Sequence, residues 1–170
     1  VDTFSTDTFT KVAKLYSKLS DMYIDNSRAE RESLRAKIKT IMQGEGYETT
    51  RYGTYRAVHI GDNYVVKFAQ SDLGRKENSA EIRNYTRICK QTVTDCFSEK
   101  VVSGGEFIAD IPDDGYETGG HRWIIMERVN TTGNNVSLIE AEKVQTTLKK
   151  AGIHISEVHP ANMGTQNGRN

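Results

Sequence analysis

Between Thr10 and Tyr23, apolar residues recur at Val12, Leu15, Tyr16, Leu19, Met22 and Tyr23. That spacing keeps them on one face of an α-helix. A second helix is predicted over "SRAERESLRAKIKTIM", with Leu34, Ile38 and Ile41 on one face and charges on the other. Ser27 and Glu30 stand at the offsets of a capping box at its start. The two make a helical hairpin joined through "DNS" and form a first region, residues 1–43. The charged face of the second helix reads as a solvated surface.

After Gly44 and Gly46 the periodicity changes. "YETTRYGTYRAVHI" and "NYVVKFA" are rich in β-branched and aromatic residues and are separated by the turn "GDN", so a β-hairpin is expected. Helical spacing returns in "RKENSAEIRNYTRICKQ", with Ile82, Tyr85, Ile88 and Cys89 in a stripe. "EKVVSGGEFIADI" and "HRWIIMERV" are expected as two strands, with "PDDGYETGG" as their turn. A polar loop follows, and then a helix over "LIEAEKVQTTLKKA", opened by a second capping box at Ser137 and Glu140 and closed by Gly152. Runs of helices and strands in this order define an α+β fold.

Composition narrows the classes of function. A chain of 170 residues with 36% hydrophobic residues can bury one core. Lys plus Arg and Asp plus Glu are both 23, so no overall charge points to nucleic acid or to an anionic membrane. The chain contains no apolar run of about 18 residues. Two cysteines, Cys89 and Cys96, are too few for a disulfide scaffold, and a reducing cytoplasm is the expected compartment. The first residue is Val, which fits a chain that is processed, excised or numbered from a later start.

Several residues could carry chemistry. Lys67 lies in the apolar strand "NYVVKFA", where a lysine ordinarily faces solvent. Glu81, in the following helix, is placed to reach back to an ammonium on that strand. His154, Glu157 and His159 fit neither the i, i+4 helical spacing nor the paired cysteines of zinc sites, so a metal cluster there is disfavoured. His59 is expected on a strand surface and His121 in a loop.

These segments together resemble protein kinases, and more narrowly the small kinase-like proteins of bacteria and phages. "VVKFA" is similar to the strand that carries the kinase lysine, and "ENSAEIRNY" to the helix with its glutamate partner. "WIIMERV" resembles the strand that enters the hinge, and "EVHPAN" the catalytic loop. The resemblance implies a kinase-like N-lobe over residues 44–129 and a truncated C-lobe over residues 130–170, behind the N-terminal hairpin. It implies that Lys67, held by Glu81, meets the phosphates of ATP. Gly53 would let the loop backbone approach them. Met126 would stand behind the adenine, and the main chain of Glu127 and Val129 would read its edge. Glu157 and Asn162 match the catalytic-loop acid and the magnesium-holding Asn, with Glu where Asp is usual.

The chain departs from the pattern in two further places. The earlier glycines of the nucleotide loop are unmatched, and no Asp-Phe-Gly occurs in the sequence. The expectation is a kinase-like domain that is non-catalytic as this chain and acts as a protein-binding or regulatory module. ATP and magnesium would then bind weakly or not at all. The alternative is an ATP-dependent protein or small-molecule kinase whose C-terminal part lies outside this chain. "MGTQNGRN" carries the tight-turn signal Asn167-Gly168 and stops where a return strand is expected. Residues 163–170 are thus expected to offer an edge to another protein or to a second copy of the chain. Neither nucleic acid nor membrane is an expected partner, and the compartment is the cytoplasm, or that of a host if the source is viral.

Overall fold

The computed structural model describes residues 2, 4–22, 27–91, 101–105, 107–108, 119–129 and 137–153. Its elements in chain order are α1 (Thr6–Asp21), α2 (Arg28–Gly44), β1 (Glu48–Tyr52), β2 (Arg56–Ile60), β3 (Tyr64–Ala69), α3 (Asp72–Gln91), β4 (Val101–Gly104), β5 (Phe107–Ile108), β6 (Gly120–His121), β7 (Trp123–Glu127) and α4 (Leu138–Lys150). This is an α+β fold. The chain divides into two compact units, one of Val1–Ile82 with Val101–Glu127 and the other of Arg83–Lys100 with Arg128–Asn170.

In the first unit, α1 starts at Thr6, four positions before the apolar stripe suggested. The Ser5 side chain caps it by accepting a hydrogen bond from Thr8 N at 3.4 Å. The earlier start brings Phe9 into the helix, where it joins Val12, Ala13, Tyr16 and Leu19 on the buried face. Ser27 caps α2 by accepting from Glu30 N at 3.3 Å. At the other end of α2, Gly46 N donates to Gln43 O and Tyr47 N to Met42 O, a Schellman closure that needs the positive φ of Gly46.

Five antiparallel strands form one sheet in the order β1-β2-β3-β7-β4. Three of them come from a region in which one hairpin of two strands was expected. "YETTRYGTYRAVHI" is split into β1 and β2 by a turn over Gly53, Thr54 and Tyr55, closed by Gly53 N donating to Arg56 O at 2.9 Å. The run of β-formers hid this turn, because only Gly53 breaks it. The expected strand through residues 99–111 also divides: β4 pairs with β7, whereas β5 pairs with β6 in a separate two-stranded sheet. Gly105 passes so close to Trp123 that an added Cβ would lie 2.4 Å from the indole, so the chain leaves β4 at a point only glycine fits.

The alternation of strand residues decides what each face carries. Ala57 pairs with Phe68 and Phe68 with Trp123, while His59 pairs with Val66 and Val66 with Ile125. These two rows pack against α1 and α2 in one core that includes Phe9, Tyr16, Ile38, Met42 and Tyr47. The Phe9 ring lies edge-on to Trp123, Tyr47 and Phe68, with centroids 5.2, 5.7 and 6.3 Å away. The opposite face holds Arg56, Val58, Lys67 and Ile124.

His59 is therefore a core residue and not the strand-surface residue expected. It is fully buried, with Nε2 2.6 Å from the Tyr16 hydroxyl and Nδ1 2.9 Å from Thr49 Oγ1. A neutral ring offers one donor and one acceptor, and the two hydroxyls satisfy both. His121 is likewise not in a loop but in β6. At the chain start, the Asp2 carboxylate accepts from Asn63 N at 2.7 Å, Tyr64 N at 2.8 Å and Asn63 Nδ2 at 3.0 Å, closing the β2–β3 turn. Burial raises the Asp2 pKa, but these hydrogen bonds outweigh it and hold the group below the ordinary carboxylate value.

The second unit contains α4, and its capping box is complete: Glu140 N donates to Ser137 Oγ at 3.2 Å and Ser137 N to Glu140 Oε2 at 2.7 Å. Ala141, Val144 and Leu148 form its buried face. Gly152, at φ +76°, ends the helix as the sequence indicated, with Ile153 N donating to Leu148 O at 2.9 Å.

Burial pushes the His59 pKa down from 6.5 to about 4. The folded value lies below the unfolded one, so the stability contributed by neutral His59 is complete above about pH 6.5 and is lost as pH falls toward 4. Between pH 7 and 5 the loss should be about 2 kcal/mol. Urea denaturation followed by the fluorescence of Trp123 measures it, and His59→Gln should remove most of this pH dependence. Equal losses in the wild type and the variant would refute the assignment.

Candidate functional site

On β3, the residues beside Lys67 are Val66 and Phe68, both buried against the helical layer, so Lys67 must leave the other side of the sheet. There it meets α3. This helix opens after Ser71, whose side chain accepts from Gly74 N at 3.2 Å. Gly74 sits against the β1–β2 turn, where an added Cβ would be 2.1 Å from Tyr55 O. One turn further, the buried Asn78 donates through Nδ2 to His121 O at 2.9 Å. Ser79 Oγ lies 2.8 Å from His121 Nδ1 and accepts from His121 N at 3.1 Å. Together these contacts tie α3 to β6 and to the β1–β2 turn.

The result is an ion-pair network. Lys67 Nζ donates to Glu81 Oε1 at 2.8 Å and to Oε2 at 3.1 Å. Arg56, which lies on the same sheet face as Lys67, reaches the same carboxylate with Nη1 3.0 Å from Oε2 and Nη2 3.2 Å from Oε1. Its Nε lies 3.0 Å from Glu77 Oε2, and Nη1 donates to Asn78 Oδ1 at 3.3 Å. Among the described residues, two cations thus face two carboxylates, and their formal charges cancel. Burial raises the Glu81 pKa, but the charges of Lys67 and Arg56 and their hydrogen bonds outweigh that effect and hold it below the ordinary value.

Arg56 escaped the sequence reading. Its signal is conditional: once the turn is placed at residues 53–55, Arg56 shares a face with Val58, the cross-strand neighbour of Lys67. Glu77 and Glu81, four apart on a helix, then lie on one side, where both reach Arg56 and Glu81 also reaches Lys67.

Among the other candidate residues, Met126 shares the sheet face of Lys67, two positions along β7 from Ile124. Gly53 opens the β1–β2 turn and accepts from Gln70 Nε2 at 2.8 Å, outside the network. Met126 is buried on β7 between Val65 and Val101. Glu127 ends β7 opposite Tyr64, and Val129 follows the strand in the second unit. Glu157 and Asn162 lie outside the described residues, as do His154, His159 and the edge expected at residues 163–170. Among the described residues, no three His, Cys, Asp or Glu side chains are grouped to hold a metal ion. No helix among them is long and apolar enough to cross a membrane.

No protein-family model and no curated protein sequence matches this chain. Among solved structures, it is similar to the crystal structure of monomeric WbdD, at 18% identity and a TM-score of 0.29 over 65% of this chain. The match spans about a quarter, 25%, of the length of that protein.

The network predicts unequal roles for its two carboxylates. Glu81→Ala leaves two largely buried cations with one exposed counterion and should destabilise the fold by about 3 kcal/mol. Glu77→Ala, at a side chain 43% exposed, should cost less than about 1 kcal/mol. Thermal denaturation of the two variants provides the comparison, and equal losses would show that Glu81 is not the shared partner.

Proposed function

We propose that this chain is a kinase-like domain that works without phosphoryl transfer, as a protein-binding or regulatory module. The observation that carries this reading is the fork of Arg56 on Glu81. A lysine held by one helix carboxylate presents a fixed positive charge to a nucleotide's phosphates. Here a second cation shares that carboxylate, a second carboxylate balances the second cation, and no net charge is left to attract a triphosphate. The cluster instead works as a clamp that holds α3 to the sheet and keeps the surface around it in one shape. A module acting by contact needs that rigidity more than it needs an open phosphate site.

A second reading is an ATP-dependent kinase completed by residues outside this chain. It is favoured by the direct contact of Lys67 with Glu81 at 2.8 Å. Calorimetry and a transfer assay separate the two. The module reading expects no saturable binding of magnesium ATP at micromolar concentrations by residues 1–170, and no transfer of radiolabel to a generic acceptor. Tight binding that Lys67→Ala abolishes, together with transfer lost in Lys67→Ala and in Glu157→Ala, would establish the kinase.

A further inference from the structure

Between the C-terminal end of α1 and the junction of β3 with α3 lies a cavity of about 170 Å³, enough for several water molecules. Its lining is distinct from Lys67, Arg56, Glu77 and Glu81 of the network. One side comes from α1, where Ser17, Ser20 and Asp21 stand at i, i+3 and i+4 and so share a helix face. The other side comes from Asp72 and Arg75 in the first turn of α3 and from Arg122 just before β7. Both arginines are seated by the backbone around them: Ala69 N donates to Arg122 O at 2.9 Å, and Gly120 passes so close to α3 that an added Cβ would lie 2.4 Å from Arg75 O. We propose that this cavity binds a small zwitterion of the α-amino acid class, with its carboxylate on Arg75 and Arg122 and its ammonium on Ser17, Ser20 and Asp21.

Among the described residues, the charges of the cavity are separated by side. On the α1 side Asp21 brings one negative charge, and with the two serine hydroxyls it offers three acceptor groups, which matches the three donors of an ammonium. On the α3 side two guanidiniums and one carboxylate leave one net positive charge. That carboxylate, Asp72, is 79% exposed and is ion-paired to Arg75, which is only 13% exposed, so the cation is the inner member of the pair. A guanidinium carries five donors in a planar fork, more than one carboxylate engages, and the fork suits a second carboxylate well. The helix ends act in the same sense. The cavity meets α1 at its last turn and α3 at its first, and the macrodipoles favour a cation at the former and an anion at the latter. A simple anion would gain from the arginines but face Asp21, and a simple cation would meet the reverse. A molecule that carries both charges a few ångströms apart satisfies both sides, and an amino acid is small enough to enter whole.

The test is an amide NMR titration of residues 1–170 with three probes: L-serine, N-acetyl-L-serine, which keeps only the carboxylate charge, and ethanolamine, which keeps only the ammonium. L-serine should give saturable shifts at residues 17–21, 71–75 and 122. It should bind at least about tenfold more tightly than either singly charged probe, because each of those lacks a hydrogen bond to a charged group. Asp21→Asn, at an exposed position on the last turn of α1, should weaken L-serine at least about tenfold and leave N-acetyl-L-serine no weaker than before. Arg122→Gln should weaken L-serine and N-acetyl-L-serine together and spare ethanolamine. Circular dichroism and melting curves establish that the variants are folded, and the Asp21 variant with the three probes suffices if the Arg122 variant does not fold. No saturable shift with L-serine would overturn the proposal, as would shifts centred on other residues, equal affinity for L-serine and N-acetyl-L-serine, or an unchanged affinity for L-serine in folded Asp21→Asn.

Discussion

The strand β3 has to serve two covered faces at once, and the rest of the first unit depends on how its residues alternate. Val66 and Phe68 enter the core under α1, while Lys67, between them, enters the network with α3. A slip of one residue in the pairing of β3 would exchange these faces. It would put an ammonium against Phe9 and Trp123, where no acceptor waits, and leave Phe68 among carboxylates. Burying an unpaired charge is so unfavourable that the register is set from both sides, by packing on one face and by charge on the other. The site and the core are two consequences of one alternation.

That constraint would be idle if α3 stood away from the sheet, and glycines are what let it come close. A Cβ at Gly74 would strike Tyr55 O, one at Gly120 would come within 2.4 Å of Arg75 O, and one at Gly104 would come within 2.8 Å of Ile82 Cδ1. Each removes a side chain where α3 approaches a turn or a strand end, and the approach brings Glu81 within reach of Lys67 and Arg56. Buried ion pairs add little net stability once desolvation is counted. The network is better understood as fixing position: it admits one placement of α3 along the sheet, the one in which all four charges are matched.

What the sequence disclosed follows from how local each signal is. Helix ends were legible because caps and closing glycines act within a few residues, as at Ser27, Ser137 and Gly152. The start of α1 is less legible, because the cap at Ser5 and the buried Phe9 both precede the apolar stripe that begins after Thr10. The β1–β2 turn is hidden because Gly53 alone interrupts a run of acceptable strand residues. His59 is hard to place from local pattern because Val58 and Ile60 look like the buried alternates, whereas the buried face of β2 is that of Ala57 and His59. Lys67 and Glu81 could be paired from chain order, whereas Arg56 could not, because its face depends on a turn that local pattern did not reveal.

The two faces of the sheet also answer acid differently, and the order follows from which group titrates on each. On the helical side the sensitive group is His59, packed beside Tyr16, with Arg35 and Tyr52 as the charged and titratable groups near that hydroxyl. Its contribution begins to fall just below its ordinary value of 6.5. On the other side the sensitive group is Glu81, whose depressed pKa makes its contribution complete above about 4.5 and lost only as pH falls below that. Mild acid therefore weakens the seat of α1 and also the tie of α3 to β6 through His121, whose pKa burial likewise lowers, while the ion pairs of the network are still charged. The two groups titrate apart from one another, because the ring of His59 and the ammonium of Lys67 leave the sheet on opposite sides.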